Sequence, residues 1–279
     1  MWPRAWWLEH AFHEAWPIRR WHLFAGTVAY YTAVASYEAT ARMPTLAQRR
    51  KTMDGQARTY DTEADPSRVT KSSGGQKAES DLRQALLVHA SGRVLEVSAG
   101  TGRNLAHFEQ PRISSLVLGD VSEPLLQVAA LKVAKRRAEH NDQLDNVTLA
   151  ICDSEALPFP DGSFDTVIDT FGLCSCESPG TALREMTRCC RPGGQVLLLE
   201  RGCSTWLPPL RLWQRTCRRR DAWDFGSVLD RDFTAIVAAE SDLEVMEERH
   251  EKLGTISLLR CHKRVADTTV LAAPDRPKT

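Results

Sequence analysis

The chain has 279 residues, 42% of them hydrophobic and 26% charged, with equal numbers of acidic and basic side chains. This length allows one domain of roughly 200 residues with extensions at both ends, and the hydrophobic share supports a sizeable core. The formal net charge of zero excludes a global field that would draw the protein to nucleic acid or to an anionic membrane.

The first fifty residues differ from the rest, because they hold five of the eight tryptophans and few acidic side chains. An uncharged run extends from Trp21 to Tyr37, and these seventeen residues would span about 25 Å as a helix. Three interpretations stay open: a membrane anchor, a helix docked on a large partner, and a helix packed on its own domain. The scarcity of acidic residues is typical of a mitochondrial address. We predict an anchor or targeting segment at 1–45 and a helical cap and linker at 46–90.

A turn of small residues follows an apolar strand in the segment 94–104, which reads VLEVSAGTGRN, and a helix is expected after the turn. Glycine tolerates positive φ and has no Cβ, so the backbone of such a turn can approach a ligand closely. In an open α/β sheet this turn lies at the carboxyl end of a strand, where ligands bind. The segment therefore predicts a nucleotide-like cofactor, and the alternative interpretation is an ordinary strand-to-helix turn.

The residues of this turn distinguish between classes of cofactor. The Gly-Lys-Ser/Thr of a P-loop is missing, and only Gly100 and Gly102 keep the spacing of a dinucleotide fingerprint. Glu96 ends the strand where a phosphate would meet a repelling carboxylate, whereas an ammonium or a sulfonium would be attracted. The turn therefore points to S-adenosylmethionine.

Four further strands are predicted downstream, at 115–120, 147–153, 164–170 and 195–200. The second strand ends at Asp120, about twenty residues after the turn, where a carboxylate commonly accepts hydrogen bonds from a ribose diol. Taken alone, an aspartate in this position is more often a helix N-cap or a loop residue. The third strand ends in another carboxylate, Asp153. A helix is predicted from Pro179 to Cys190 because an Arg-Pro-Gly-Gly turn follows it.

The order of these pieces, together with LPFPDGSFD from Leu157, resembles the class I S-adenosylmethionine-dependent methyltransferases over residues 90–203. The resemblance implies an α/β fold, Rossmann-like, with a doubly wound, mostly parallel seven-stranded sheet and an N-terminal helical extension. It also implies a cofactor site. The methionine end would be lined by Glu96, Ala99, Gly100 and Gly102, the ribose by Asp120 beside Val121, the adenine by Asp153 and Ser154, and the methyl group by Thr170 and Phe171. Ser98 is also predicted to bind the cofactor, although it departs from the pattern, because the family has its first glycine there.

Several shorter motifs are similar to those of the Oms-type mitochondrial methyltransferases, whose wider relatives are the UbiE-type quinone C-methyltransferases. They are RRKTMD at 49–54, ARTYD at 57–61, GLCSC at 172–176 and LLLERG at 197–202. Arg201 stands where that family commonly has histidine. The resemblance implies a mitochondrial protein, with the inner membrane as its place if residues 1–45 form an anchor.

The last part of the chain predicts a helix at 232–241 and a final pair of strands, one antiparallel, at 243–249 and 255–262. The methyltransferase domain would thus cover 91–265, followed by a polar tail at 266–279. Five arginines lie between Arg211 and Arg220. They are interpreted either as a contact for RNA, anionic lipid or an acidic protein, or as a solvated helix face.

The eight cysteines lack the Cys-x-x-Cys spacing of a zinc site, so we predict packed, reduced thiols and no metal.

Two functions remain open from the sequence. The first is an enzyme in which a nucleophile of an unidentified acceptor attacks the sulfonium methyl in line, while the protein supplies alignment and a dry site. The second is a methyltransferase-like structural or assembly subunit of a mitochondrial complex, such as the ribosome, its assembly intermediate or a respiratory complex. No residue is assigned as the catalytic base, and the candidates are Tyr60, Asp61, His107, Glu200 and Arg201.

Overall fold

The computed structural model describes residues 42–61, 73–108, 111–140 and 146–265, together with His22, residues 25–33 and Ser36. The chain divides between Met43 and Pro44 into two compact units. In the first unit, residues 25–33 are helical. None of the described helices is both long enough and apolar enough to cross a membrane. Several positions of the predicted anchor, and the whole predicted tail at 266–279, lie outside the described residues.

The second unit is built on one seven-stranded sheet with the strand order β3-β2-β1-β4-β5-β7-β6. Strands β1 to β5 are parallel to one another, and β7 is antiparallel to both β5 and β6. The predicted doubly wound, mostly parallel sheet is therefore confirmed. The strands are β1 Gly92–Val97, β2 Ile113–Asp120, β3 Val147–Ile151, β4 Phe164–Thr170, β5 Cys190–Arg201, β6 Leu243–Glu251 and β7 Ile256–Lys263.

Helices flank this sheet. They are α1 Leu46–Gln56, α2 Ser73–Leu87, α3 Glu123–His140, α4 Pro179–Cys189, α5 Pro208–Phe225 and α6 Phe233–Ala238. Helix α1 begins at a capping box, in which Thr45 Oγ1 accepts from the Gln48 amide at 3.2 Å and Gln48 Oε1 accepts from the Thr45 amide at 2.8 Å. Helix α6 begins where Asp232 accepts from the Ala235 amide at 3.1 Å.

Two sequence expectations about element boundaries need correction. A helix was expected after the glycine turn, but only a short 3-10 helix, Arg103–His107, forms there, because Phe108 returns to extended backbone. Strand β5 begins at Cys190 rather than at residue 195. The Arg-Pro-Gly-Gly segment extends the strand as an irregular stretch, in which Gly193 has φ 71° and Cys190 is paired with Phe164.

The core lies on both faces of the sheet, since side chains alternate between the faces along each strand. Leu95 and Val97 of β1 pack on one face with Val167 of β4, whereas Val94 packs on the other face with Ile168. The eight cysteines are free thiols, and seven of them are buried. A pocket opens at the carboxyl ends of the parallel strands, and polar side chains lie there.

Candidate functional site

The pocket lies beside the ends of β1, β2 and β4, between the strand edge and helices α1 and α2. Nine of the eleven residues predicted to bind the cofactor line it. They are Ser98, Ala99, Gly100, Asp120, Val121, Asp153, Ser154, Thr170 and Phe171. The other two, Glu96 and Gly102, lie outside the lining. The strand-end positions that the sequence singled out thus come together in space.

The two glycines of the turn have different surroundings, because Gly100 faces open space and Gly102 is packed against other residues. Gly100 has φ 55°, and a Cβ built on it would meet nothing within 4 Å, so open space faces its backbone. Gly102 has φ 71°, and a Cβ there would lie 2.9 Å from Leu105 Cδ1 and 3.2 Å from Ala129 Cβ. Gly102 was predicted to line the methionine end, but this geometry gives it the close packing of the turn against α3.

Asp120 joins the turn to the end of β2. Its Oδ2 accepts from the Gly100 amide and its Oδ1 from the Ser122 amide, both at 2.8 Å. Burial raises the pKa of Asp120, and the backbone hydrogen bonds oppose that rise. The Val121 amide is a third backbone donor to this carboxylate. A carboxylate has about four lone-pair positions, so Asp120 keeps capacity for a further donor, which a hydroxyl group of a bound diol fits.

Helix α1 forms one wall over the ends of β2 and β3. Arg50 donates to Asp153 Oδ2 at 2.6 Å, and Ser122 Oγ donates to Asp54 Oδ1 at 2.5 Å. Burial acts to raise the pKa of Asp153, but hydrogen bonds from the Glu155 amide and from Arg50 hold it below its ordinary value. Arg50 and Met53 also line the pocket and were not predicted to do so, although the RRKTMD motif contains both.

Glu96 was predicted to present a carboxylate to the ligand, and the structure places it elsewhere. The residue is 1% exposed, and its Oε1 accepts from Asn104 Nδ2 at 3.0 Å. Burial raises the pKa of Glu96 to about 8, so it is mainly protonated at neutral pH. Glu96 therefore does not present a negative charge to the pocket, in contrast to its predicted role beside a cationic ligand.

The wall beside Phe171 consists of charged residues that come from separate parts of the chain and were not predicted from the sequence. Glu79 of α2 accepts from Arg83 at 3.0 Å and from Arg201 at 3.2 Å, and its Oε1 lies 3.3 Å from Arg103 Nη1. The guanidinium carbons of Arg83 and Arg201 lie 5.0 and 4.8 Å from the centroid of the Phe171 ring. The backbone of Phe171 has φ 62°, a strained value for a side chain of this size, and its ring makes cation–π contacts with both arginines.

The candidate bases divide by position. Tyr60 and Arg201 line the pocket, and burial raises the pKa of Tyr60. Asp61, His107 and Glu200 do not line it. Asp61 instead accepts from Thr101 Oγ1 at 2.6 Å, and Glu200 is fully buried with its Oε2 accepting from the Cys174 amide at 3.2 Å. Burial raises the pKa of Glu200 to about 8. Glu200, one of the candidate bases, is therefore not a residue of the pocket lining.

The arginine-rich segment that was predicted as a partner contact lies on α5. Arg211, Arg218 and Arg220 pair with aspartates at 3.2, 3.5 and 3.5 Å, respectively. Contact with RNA, anionic lipid or an acidic protein at Arg211–Arg220 stays a prediction.

Comparison with known proteins gives one family match, in which residues 95–198 match the family described as a methyltransferase domain. A similar curated protein is the mitochondrial methyltransferase OMS1 of Saccharomyces cerevisiae, 33% identical over 62% of this chain and 38% of that protein. The UbiE ubiquinone/menaquinone biosynthesis C-methyltransferase of Hahella chejuensis is 37% identical over 40% of this chain and 44% of that protein. The chain thus spans less than half the length of these relatives.

Solved structures share the fold at lower identity. The N-methyltransferase NodS of Bradyrhizobium japonicum, solved with S-adenosyl-L-homocysteine, has a TM-score of 0.52 and 16% identity over 76% of this chain and 98% of its own. The cyclase SpnF has a TM-score of 0.53 and 18% identity over 69% of this chain and 82% of its own. Because the second protein is named for a different reaction, the shared fold does not decide the chemistry.

Proposed function

We propose that this chain, which carries a methyltransferase domain of the class I fold, transfers a methyl group from S-adenosylmethionine to an acceptor in the pocket at the sheet edge. S-adenosylmethionine, the cofactor predicted from the sequence, is the cofactor of the methyltransferase family that the chain matches. The observation that carries the proposal for this pocket is Asp120, which is 7% exposed, lines the cavity and retains unused acceptor capacity. A vicinal diol is a matching donor.

The other pocket residues complete the proposed binding mode. Asp153 and Ser154 would hold the adenine, and the open side of Gly100 would admit the methionyl part. Phe171 and Thr170 would lie by the reacting group. When bound, the cofactor supplies an electrophilic methyl group on a sulfonium.

The chain's own residues orient the reactants and exclude water. Helix α1 closes one side of the pocket through the Arg50–Asp153 and Ser122–Asp54 hydrogen bonds. Phe171 contacts two guanidinium groups, which would preorganise the surface near the reacting group. Tyr60 presents a neutral hydroxyl, because its raised pKa keeps the proton in place. It can donate to or accept from an acceptor, but it does not enter as a phenolate.

Calorimetry with S-adenosylmethionine and S-adenosylhomocysteine tests the proposal. Asp120→Asn should weaken both affinities by on the order of 1–3 kcal/mol, since a diol loses its charged acceptor. Asp242→Asn is the matched control, because Asp242 is exposed beside β6, and its affinity should equal that of the wild type. A folded wild-type protein that binds neither ligand at high micromolar concentration would contradict the proposal.

A second proposal is a methyltransferase-like subunit of a mitochondrial assembly with weak or no turnover. Ser98 in the position of the first glycine favours it, since the residue lines the pocket at φ 53°. The variant Asp120→Asn distinguishes the two proposals. If the protein is an assembly subunit, the variant should remain in a high-molecular-mass fraction of a mitochondrial lysate. If the protein is an enzyme, the variant should no longer form the methylated product.

Mitochondrial location is part of the proposal and is supported by the name of the yeast relative. Attachment to the inner membrane, or to a large complex, through residues 1–45 is a further proposal. Deletion of residues 1–45 from the full chain should release a tagged protein into the soluble fraction of lysed mitochondria. Retention of the truncated protein on membranes would show that this segment is not its sole tether.

A further inference from the structure

The tryptophans that the structure describes all lie on or directly before α5, and all three are exposed. Trp206 precedes the helix and is 55% exposed, while Trp213 and Trp223 within it are 37% and 39% exposed. Tryptophan is highly buried on average in folded proteins. Three exposed copies on one stretch of chain are therefore typical of a surface that another molecule covers.

One side of α5 carries the exposed apolar side chains, and the opposite side rests on the domain. With 3.6 residues per turn, positions 212, 213 and 223 fall within an arc of about 100°. Leu212 in this arc is 67% exposed. On the opposite side Ala222 is fully buried, and Gln214 hydrogen-bonds backbone groups of the β5–α5 connection at 2.7 and 2.9 Å. The helix is thus anchored by one side and presents the other to solvent.

The apolar area continues past the start of the helix onto the turn between β6 and β7. Ser204 Oγ donates to the Leu253 carbonyl at 2.6 Å, and the Thr205 amide donates to the Gly254 carbonyl at 3.2 Å. These bonds place the exposed Leu253 beside the chain that leads into α5. The exposed apolar residues of this area are called the α5 surface: Trp206, Leu207, Leu212, Trp213, Trp223 and Leu253.

Exposed arginines lie among these apolar side chains. Arg215 is exposed on the same helix, and Arg220 has a side chain that is 71% exposed. The nearest carboxylate oxygen to Arg220 belongs to Asp224, at 3.5 Å, and that side chain is exposed as well. Ion pairs in contact with water are weak and are screened by salt. A guanidinium held in this way can exchange its carboxylate for a phosphate.

We propose that the α5 surface docks the protein on an anionic lipid bilayer, with the tryptophan and leucine side chains in the interfacial layer and the arginines at the lipid phosphates. Helices with arginine beside tryptophan and leucine lie in the plane of such an interface, and tryptophan is enriched at that depth. Anionic headgroups add an attraction for each arginine near the surface. This proposal goes beyond the proposed methyl transfer and does not depend on it.

The aliphatic side chains decide among the partners predicted for Arg211–Arg220. Arginine and tryptophan alone would also suit single-stranded RNA, because bases stack on aromatic rings. Leu207, Leu212 and Leu253 have no π face for a base, so leaving them exposed gains nothing in an RNA complex. In a bilayer each of them removes apolar area from water. The composition of the whole surface therefore fits lipid better than RNA.

The α5 surface lies on a helix that also supports the pocket wall. Gln56 Nε2 of α1 donates to the Asp224 carbonyl at 3.4 Å, and a Cβ built on Gly226 would lie 3.0 Å from Met53 Cγ. Helix α1 forms the wall over the ends of β2 and β3. Docking through α5 would thus hold that wall close to the lipid surface.

Hydrogen exchange of the full-length protein, read at residues 205–225 and in the β6–β7 turn, tests the proposal locally and apart from any tether elsewhere in the chain. Vesicles of phosphatidylcholine mixed with phosphatidylglycerol should slow exchange there, and vesicles of phosphatidylcholine alone should do so much less. In Leu212→Glu the lipid concentration for half-maximal protection should rise by about tenfold or more. In Arg215→Gln it should rise by about threefold to fivefold.

Leu131→Glu is the matched control, because Leu131 lies on α3 and is 71% exposed, close to the value for Leu212. It should leave the protection unchanged, and both glutamate variants should unfold in urea at the wild-type midpoint. Equal protection in Leu212→Glu and wild type overturns the proposal, as does equal protection by the two kinds of vesicle. Protection of the α5 surface by polyuridine rather than by vesicles, or by raising the protein concentration alone, overturns it in favour of RNA or of a second copy of the chain.

Discussion

Ser98 and Gly172 are complementary in volume, because the serine side chain lies where a side chain on residue 172 would have to stand. A Cβ built on Gly172 would lie 2.4 Å from both Cβ and Oγ of Ser98, and 2.2 Å from Asp169 Oδ1. The serine that departs from the family's glycine pattern is thus accommodated by a glycine on the neighbouring strand end. Serine in place of glycine at position 98 therefore occupies space that the missing side chain of residue 172 leaves open, and it narrows the pocket less than the sequence alone would indicate.

This relationship predicts that Gly172→Ala destabilises the fold by about 1–3 kcal/mol, because the added methyl overpacks a fully buried corner. Ser98→Gly should recover part of that loss in the double variant, since it removes one of the two contacts. Urea denaturation gives the free energies of unfolding. Gly180→Ala is the control, as its Cβ would meet only Arg184 Nη1, at 3.8 Å. Strict additivity of the two changes would show that the residues do not share this space.

The buried carboxyl of Glu96 predicts a pH dependence of stability. Its pKa in the folded state is about 8, above the ordinary value of 4.5, so the folded protein binds more protons than the unfolded chain between these values. The stabilisation is complete below about pH 4.5 and is lost as the pH rises through 8, by at most about 1.4 kcal/mol per pH unit for one group.

Glu96→Gln should therefore flatten the decline of unfolding free energy between pH 5 and 8. The amide imitates the protonated carboxyl and does not titrate. Glu123→Gln, an exposed position at the start of α3, should leave the decline unchanged. An identical pH profile for wild type and Glu96→Gln would mean that the buried group does not titrate in this range.

The contact of Arg50 with Asp153 predicts an effect on cofactor exchange rather than on the fold. The pair is half exposed, and such surface ion pairs contribute about 0–1 kcal/mol, so the free energy of unfolding should change little in Arg50→Gln. Loss of this hydrogen bond opens the α1 wall, and the dissociation rate of S-adenosylhomocysteine should rise by about 3–10-fold. Stopped-flow fluorescence measures that rate. The neighbouring exposed position of the same helix, Lys51→Gln, should leave the rate unchanged, and equal rates in both variants would refute a gating role for Arg50.

Much of the pocket could be predicted because its residues are adjacent in sequence to strand ends. The turn at 98–102, Asp120 and Asp153 each follow an apolar strand, and parallel strands bring their carboxyl ends to one edge. The direction of Glu96 could not be predicted in the same way. Alternation along β1 places it on the face of Val94, but only the structure shows that Asn104 covers that side.

The charged wall was missed for a different reason. Glu79 and Arg83 lie on α2, outside every motif that drew attention, and their partners Arg103 and Arg201 are 24 and 122 residues from Glu79 in the chain. No local periodicity predicts such a cluster, since it depends on how α2 packs against the ends of β4 and β5. An arginine at 201 in place of the family's histidine was the one available signal.

A pair of glycine variants separates ligand approach from packing in the turn. Gly100→Ala should cost about 1–2 kcal/mol of stability from its positive φ alone, because no atom obstructs the new Cβ. Since that Cβ would enter the pocket, the affinity for S-adenosylhomocysteine should fall by an order of magnitude or more. Gly102→Ala adds contacts with Leu105 and Ala129 to the same backbone cost, so its loss of stability should be the larger of the two. Under conditions in which Gly102→Ala is folded, its affinity for S-adenosylhomocysteine should fall less than the affinity of Gly100→Ala. The reverse ranking in both measurements would show that Gly102, rather than Gly100, faces the cofactor.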